Sequence, residues 1–275
     1  MANRSEAGTA ANRMQSRITG DGAPLILVPG GLTGWVSWEP YAESLSHSRK
    51  VVRVQLLNVQ YGLENRELPA NYSVKTESRA LFATLTDLGL DEPADVVAWS
   101  YGALVSLEYA LDHVDRVRTL TLIEPPALWV LHALGEPDAE ARQNEAVLRS
   151  LHGDISEAQL AQFMSAVGLC PPGKLAQELP QWPGLVAYRQ SLKNSPAVLN
   201  HNDDPRRLFT LRRPVLLVKG TGSARFLHQI IDLLLAELPN ARVTEMPAGH
   251  APHVVSKDRF LREMALFQSG EPFAA

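Results

Sequence analysis

The sequence predicts an α/β fold: a doubly wound, mostly parallel sheet that carries an inserted helical cap. Short, nearly continuous apolar runs alternate with amphipathic stretches, as strands buried on both faces of a parallel sheet alternate with helices. The connections between these elements are short. One interval, residues 125–211, breaks the alternation, and at about 85 residues it is too long for a loop.

Six strands are predicted, and each ends in residues typical of turns. They are "PLILVPG" from Pro24, "KVVRVQLL" from Lys50, "ADVVAW" from Ala94, "VRTLTLIE" from Val117, "PVLLVKG" from Pro214 and "ARVTEMP" from Ala241. Helical patterns lie between them, beginning at Trp38, Val74, Tyr101, Phe226 and Lys257. The core is therefore predicted over residues 15–124 and 212–275. Residues 1–14 are expected to be loosely ordered, as chain termini usually are.

The interval 125–211 is predicted to be a helical cap over a ligand site. It contains the helical patterns "EARQNEAVLRSLH" and "EAQLAQFMSAVG". It leaves the carboxyl end of a strand, which is the edge where open α/β sheets bind ligands. Aromatic and flexible apolar side chains line such pockets, although packing inside the cap is the alternative for each of them. The candidates are Trp129, Phe163, Met164, Trp182 and Tyr188, and we favour Trp182 because it stands in a turn-like segment.

Composition restricts the classes of function. With 275 residues, 45% of them hydrophobic and a net charge of −4, the chain is typical of a globular protein without a basic surface for nucleic acid. No run of about 18 apolar residues predicts a membrane span, and the N-terminus lacks the apolar segment of a signal peptide. Cys170 is the only cysteine, which excludes an intrachain disulfide. We expect a cytoplasmic protein with a small-molecule substrate and no nucleic-acid or membrane partner. The sequence does not decide whether the protein forms a homodimer.

The segment "VVAWSYGAL" predicts a catalytic serine. Ser100 stands where a buried strand turns directly into a helix. A nucleophile raised on such a sharp turn requires small residues two positions before and after it, and Ala98 and Gly102 meet this requirement. The alternative is that Ser100 is only the N-cap of the following helix.

His250 is the candidate base. It follows Gly249 in the loop after the last strand, where an imidazole can reach over the edge of the sheet. His253 is the rival, but it is expected to cap or pack near the final helix. The remaining histidines are expected at surface or packing positions: His47, His113, His132, His152, His201 and His228.

From "LILVPGG" through "AWSYG" and "PVLLVKG" to "AGHAPH", nearly the whole chain resembles the α/β-hydrolase superfamily. The resemblance implies a sheet of eight strands or slightly fewer, a cap after the sixth family strand, and no metal or organic cofactor. It also implies an oxyanion hole made by two backbone N–H groups. One belongs to Tyr101 and the other to Gly31 of Pro29-Gly30-Gly31, where the family usually has His-Gly-X.

The catalytic acid departs from the commonest family pattern. Most members carry it after the strand that begins here at Pro214, but this chain has Ser223 at that position, and Asp232 lies well inside a helix. Glu124 ends the strand beside that of the nucleophile. Its placement resembles that in certain haloalkane dehalogenases and the zearalenone-type lactonases, which keep their acid there. The alternative is that Glu124 caps the turn into residues 125–211.

These residues predict a serine hydrolase that cleaves a small apolar ester or lactone through Ser100, His250 and Glu124. A serine nucleophile disfavours the dehalogenase and epoxide-hydrolase branches, which use aspartate. Two alternatives stay open: a carbon–carbon bond hydrolase of the same fold, and a hydrolase-like ligand sensor with little turnover.

Overall fold

The protein is described by a computed structural model over residues 13–171 and 173–270. Within these ranges a seven-stranded sheet has the order β1-β3-β2-β4-β5-β6-β7, and only β1 pairs antiparallel with its neighbour. The doubly wound, mostly parallel sheet is therefore confirmed. The strands are β1 (Ser16–Thr19), β2 (Ala23–Val28), β3 (Arg49–Val54), β4 (Ala94–Trp99), β5 (Val117–Ile123), β6 (Val215–Gly220) and β7 (Ala241–Met246).

The helices that flank the sheet bury apolar stripes on its two faces. The sheet separates the buried side chains into two hydrophobic clusters. They are α1 (Glu39–Ser46), α2 (Leu57–Leu63), α3 (Val74–Asp87), α4 (Tyr101–Asp112), α11 (Arg225–Glu237), α12 (Pro252–Val255) and α13 (Lys257–Ser269). Short 3₁₀ turns cover Gly34–Trp38 and Val114–Arg116.

Strand β1 was not predicted. Its sequence, "SRIT", is largely exposed and has no apolar run, because it pairs only with β3 at the edge of the sheet. The predicted second strand also ends earlier than its apolar run. Arg49–Val54 is extended, whereas Leu57 already begins α2. Apolar residues alone do not separate the end of a strand from the start of a buried helix.

The N-terminal prediction falls mostly on residues 1–12, which lie outside the described residues. Met14, included in the predicted loose segment, is 3% exposed, and its N–H donates to Thr84 Oγ1 at 2.9 Å. The packed core therefore begins one residue before the predicted boundary at residue 15.

Residues 125–211, called the insertion below, leave from the carboxyl end of β5 and return to β6. The insertion contains α5 (Leu128–Leu134), α6 (Ala139–Ser150), α7 (Glu157–Ala166), α8 (Trp182–Tyr188), α9 (Ser195–Asn200) and α10 (Arg206–Thr210), with 3₁₀ turns at Ala176–Glu178 and Arg189–Asn194. Among the described residues, no helix has both the length and the apolar character needed to cross a membrane.

The loops at the carboxyl edge of the sheet pack backbone against backbone. A Cβ at Gly220 would lie 2.2 Å from the Gly249 carbonyl oxygen, and one at Gly249 would lie 2.2 Å from that of Gly168. Only glycine permits such close approach. The insertion, the end of β6 and the loop after β7 are thereby held together at one place.

Candidate active site

Ser100 occupies a strained turn between β4 and α4. Its φ of 53° and ψ of −125° are rare for a residue with a side chain, and its N–H donates to the Ile123 carbonyl at 2.8 Å. A Cβ at Gly102 would lie 2.1 Å from the Pro29 carbonyl oxygen, so the requirement for a small residue is a steric one. Ser100 stands at the N-cap position of α4, but its side chain makes no capping hydrogen bond.

The Ser100 hydroxyl is within hydrogen-bond distance of the imidazole of His250. His250 Nε2 lies 2.8 Å from Ser100 Oγ, and His250 Nδ1 lies 3.3 Å from Glu124 Oε2. Because an ionised carboxylate only accepts hydrogen bonds, Nδ1 carries the proton and Nε2 is left to accept the hydroxyl proton. The loop is held by the His250 N–H, which donates to the Gly168 carbonyl, and by the Trp99 indole, which donates to the His250 carbonyl.

Glu124 is completely buried and sits at a φ of 51°. Its Oε1 accepts the Gly220 N–H at 2.7 Å and the Ser223 hydroxyl at 3.1 Å. The serine at the commonest family position for the acid therefore donates to the carboxylate that reaches His250. Asp232 is exposed and pairs with Lys219 at 3.1 Å.

His253 lies in an aromatic cage and not at the serine. Its ring is completely buried, with centroids 5.1 Å from Trp38 and 4.8 Å from Trp99, and Phe260 stands on another side. Burial, together with the nearby His250, lowers the pKa of His253 to about 3. The ring is neutral at ordinary pH and packs as an aromatic group.

A cavity of about 60 Å³ lies over Ser100 and His250. Apart from those two residues, its polar side chains are those of Tyr101, Asn194 and Ser195, and none of the described lining residues is Asp, Glu, Lys or Arg. A second chamber of about 530 Å³ shares Leu32, Trp99 and Leu169 with the first. Within the described ranges, no group of three or more His, Cys, Asp or Glu side chains is arranged to hold a metal ion.

The two residues expected to form the oxyanion hole are neighbours in this cavity wall. A Cβ at Gly31 would lie 3.1 Å from Tyr101 Cβ, so the two segments are in direct contact. Tyr101 is the first residue of α4, and the first N–H groups of a helix have no acceptor within it. The arrangement brings a serine hydroxyl, an imidazole, a buried carboxylate and backbone N–H groups together in one place.

Residues 25–263 match the Alpha/beta hydrolase family. The chain belongs to this family. The predicted family is thus confirmed, and the protein is a hydrolase.

Three curated relatives are similar to this hydrolase. A putative carbamate hydrolase, RutD, of Klebsiella pneumoniae is 25% identical over 87% of this chain and 89% of its own. A 2-hydroxy-6-oxo-2,4-heptadienoate hydrolase of Pseudomonas putida is 34% identical over 38% of each chain. A pimeloyl-[acyl-carrier protein] methyl ester esterase of Chromobacterium violaceum is 31% identical over 63% of this chain and 69% of its own. All three are named as hydrolases, but the substrates they are named for differ.

The aromatic residues predicted to face the substrate lie elsewhere in the hydrolase. Trp129 and Trp182 are 3% and 8% exposed and belong to the main hydrophobic cluster, and Tyr188 packs against it. None of these three is among the described residues that line the cavity over Ser100, whereas Phe163 is. These large aromatic side chains pack the insertion into the same hydrophobic cluster that covers one face of the sheet.

A second buried carboxylate, two hydrogen bonds away from the cavity residue Tyr101, was not predicted. Glu77 of α3 is completely buried and accepts the N–H groups of Leu57 and Asn58, each at 2.9 Å, and the Tyr72 hydroxyl at 2.5 Å. Burial raises its pKa to about 7. The sequence does contain a sign that Glu77 is buried. It stands three residues after Val74 and four before Leu81, on the apolar stripe of the predicted helix.

Proposed function

We propose that this hydrolase cleaves small, uncharged carboxylic esters or lactones, with Ser100 as nucleophile, His250 as base and Glu124 as the carboxylate that orients His250. The observation that carries the proposal is the continuous hydrogen-bond chain from Ser100 through His250 to Glu124 beneath an apolar cavity. Backbone strain at both Ser100 and Glu124 supports it, because strained backbone collects at functional sites.

The chemistry is acyl transfer to water in two steps. Ser100 Oγ attacks the carbonyl carbon while His250 Nε2 takes the hydroxyl proton, and the N–H groups of Gly31 and Tyr101 donate to the oxyanion. The oxyanion collapses, the bond to the leaving oxygen breaks, and His250 returns the proton to that oxygen. Water then attacks the acyl-enzyme with His250 again as base, which releases the acid and restores the Ser100 hydroxyl.

The absence of charged side chains from the described lining of the cavity over Ser100 supports an uncharged substrate. A carboxylate bound there would be buried without a cationic side chain, and the penalty for burying an unpaired ion is several kcal/mol. Within the cavity over Ser100, this argues against the carboxylate of a substrate like the heptadienoate for which the Pseudomonas relative is named, whereas the larger chamber is lined by Lys257. The uncharged lining over Ser100 favours ester cleavage, the activity for which the Chromobacterium relative is named.

The size of the cavity supports a short acyl group. At about 60 Å³ the space over Ser100 admits only a few carbon atoms, while the larger chamber beside Leu32 and Trp99 offers room for the leaving group. Among p-nitrophenyl esters, kcat/KM is therefore expected to be highest for acetyl to butyryl chains and to fall for longer ones.

The test is steady-state turnover of purified protein on p-nitrophenyl esters of increasing acyl length and on lactones of increasing ring size. Multiple turnovers are expected, and Ser100→Ala should reduce them by a factor on the order of 10⁶ with the fold unchanged. A single slow turnover, or none, would favour the ligand-sensor alternative. Turnover in Ser100→Ala near that of the wild type would exclude serine catalysis.

A further inference from the structure

Glu77 is connected to both segments that supply the oxyanion donors. On one side its carboxylate accepts the Asn58 N–H, and Asn58 Nδ2 donates to the Gly31 carbonyl at 2.7 Å. On the other side it accepts the Tyr72 hydroxyl, which lies 2.9 Å from the hydroxyl of Tyr101. One buried carboxylate is thus linked to the two donor residues by two separate routes.

The Asn58 route fixes the loop after β2. Asn58 is 1% exposed, and its Nδ2 donates both to the Gly31 carbonyl and, at 3.0 Å, to the Ser191 carbonyl of the insertion. A Cβ at Gly31 would lie 3.2 Å from this Nδ2 and 3.1 Å from Tyr101 Cβ. Gly31 is therefore held between the two side chains, and a shift of Asn58 would move its peptide group.

The tyrosine route fixes the start of α4. Because the Tyr72 proton is committed to Glu77, the Tyr101 hydroxyl donates to the Tyr72 oxygen. Tyr101 is 3% exposed, so its side chain is fixed at both its ring and its hydroxyl. The backbone N–H that follows Ser100 belongs to this residue.

We propose that Glu77 is a positioning residue that holds the Gly31 and Tyr101 N–H groups of the oxyanion hole in place. The inference rests on the proposed function, since it assigns a purpose to a residue that touches neither Ser100 nor His250. Donors for the oxyanion must be placed before the reaction, and misplacement by about 1 Å is enough to lower a rate roughly 100-fold.

A glutamine cannot replace Glu77 without loss. Three donors converge on the carboxylate: the N–H groups of Leu57 and Asn58 and the Tyr72 hydroxyl. The amide of glutamine has one acceptor oxygen, so its NH₂ group must face at least one backbone N–H. That N–H loses its acceptor, and the start of α2 must shift.

The experiment compares Glu77→Gln with the wild type on the best ester of the panel. A fluorophosphonate that labels reactive serines counts active sites, so that misfolded protein does not lower kcat. We expect kcat per active site to fall roughly 10- to 100-fold with KM within about twofold. The affinity for an alkylboronic acid, whose tetrahedral adduct with Ser100 mimics the oxyanion, should fall by a similar factor.

A variant of the tyrosine route and a matched control complete the test. Tyr72→Phe leaves both backbone hydrogen bonds of Glu77 intact and removes the hydroxyl that joins Glu77 to Tyr101, and we expect it to lower kcat about threefold to tenfold by the same positioning argument. Tyr109→Phe removes a hydroxyl from a buried tyrosine of the same helix α4, away from the cavity lining, and should leave kcat and boronate affinity unchanged.

The outcomes separate the inference from the proposed function. If the wild type turns over esters while Glu77→Gln keeps its kcat and boronate affinity within twofold, the inference is overturned and the proposed function stands. If Glu77→Gln does not fold, Tyr72→Phe decides by the same two measurements. Failure of the wild type to turn over esters or to bind the boronate overturns the proposed function and the role of Glu77 with it.

Discussion

Glu124 and Glu77 are both completely buried, and hydrogen bonds link each to a residue that lines the cavity over Ser100, but their partners differ in charge. Glu124 faces the imidazole of His250, a group that becomes positively charged in the proposed reaction. Glu77 faces only neutral donors, and its carboxylate has no partner whose charge changes. A buried carboxylate can therefore serve either to stabilise a charge that forms during the reaction or to hold fixed geometry, and its partners show which.

The largest expected difference between the two glutamates is in kcat. Glu124→Gln should lower kcat roughly 10⁴-fold, because His250 loses the acceptor that fixes its tautomer and the charge that stabilises its protonated form. Glu77→Gln should lower it by no more than about 100-fold, since only donor geometry is disturbed. Equal losses in the two variants, measured as kcat per active site, would remove the distinction.

A rescue experiment sharpens the assignment of Glu124. Ser223→Asp in the Glu124→Gln background places a carboxylate at the commoner family position, beside the group it replaces. Recovery of part of kcat is expected, while the same substitution in the wild type should lower kcat, because two carboxylates would then stand side by side.

The contrast also shows how far the sequence could predict this site. The sequence predicts Ser100, His250 and Glu124 because Ser100 and Glu124 directly follow strands and His250 lies in the loop after the last one, and the carboxyl ends of parallel strands meet at one edge of the sheet. The structure brings these three side chains together. Glu77 and Asn58 lie in the first turns of α3 and α2, and Tyr72 lies in the loop before α3. Their proximity depends on how α2 and α3 pack, which periodicity does not specify.

Packing that the sequence does not specify also explains why the aromatic residues of the insertion were assigned to the wrong positions. Composition predicted that aromatic side chains would occur there, but it could not separate those that line a cavity from those that form a core. Phe163 lines the cavity, and Trp182 packs away from it. The edge strand β1 was missed for a related reason, since a strand paired on one side and exposed elsewhere has no apolar run.

A smaller effect is expected at the residue that supports Glu124. The Ser223 hydroxyl donates to Glu124 Oε1, but the Gly220 N–H donates to the same oxygen and remains when the hydroxyl is removed. Ser223→Ala should therefore lower kcat only about threefold to tenfold, the range of one hydrogen bond of about 1 kcal/mol. A loss near that of Glu124→Gln would mean that Ser223 itself acts on His250.

The last expected effect is in stability, and it isolates the carboxylate of Glu77. Burial raises the pKa of Glu77 from 4.5 in its ordinary range to about 7 in the fold, where the titratable groups facing it are the hydroxyls of Tyr72 and Tyr101. Between these two pH values the folded protein binds more protons than the unfolded chain, so this group makes the free energy of unfolding fall as the pH rises from about 4.5 to 7.

Glu77→Gln lacks this titration, while every other titratable group is shared with the wild type. The melting temperature of the wild type relative to Glu77→Gln should accordingly decrease across that range and level off above it, and a difference that is constant from pH 5 to 8 would contradict a raised pKa at this position.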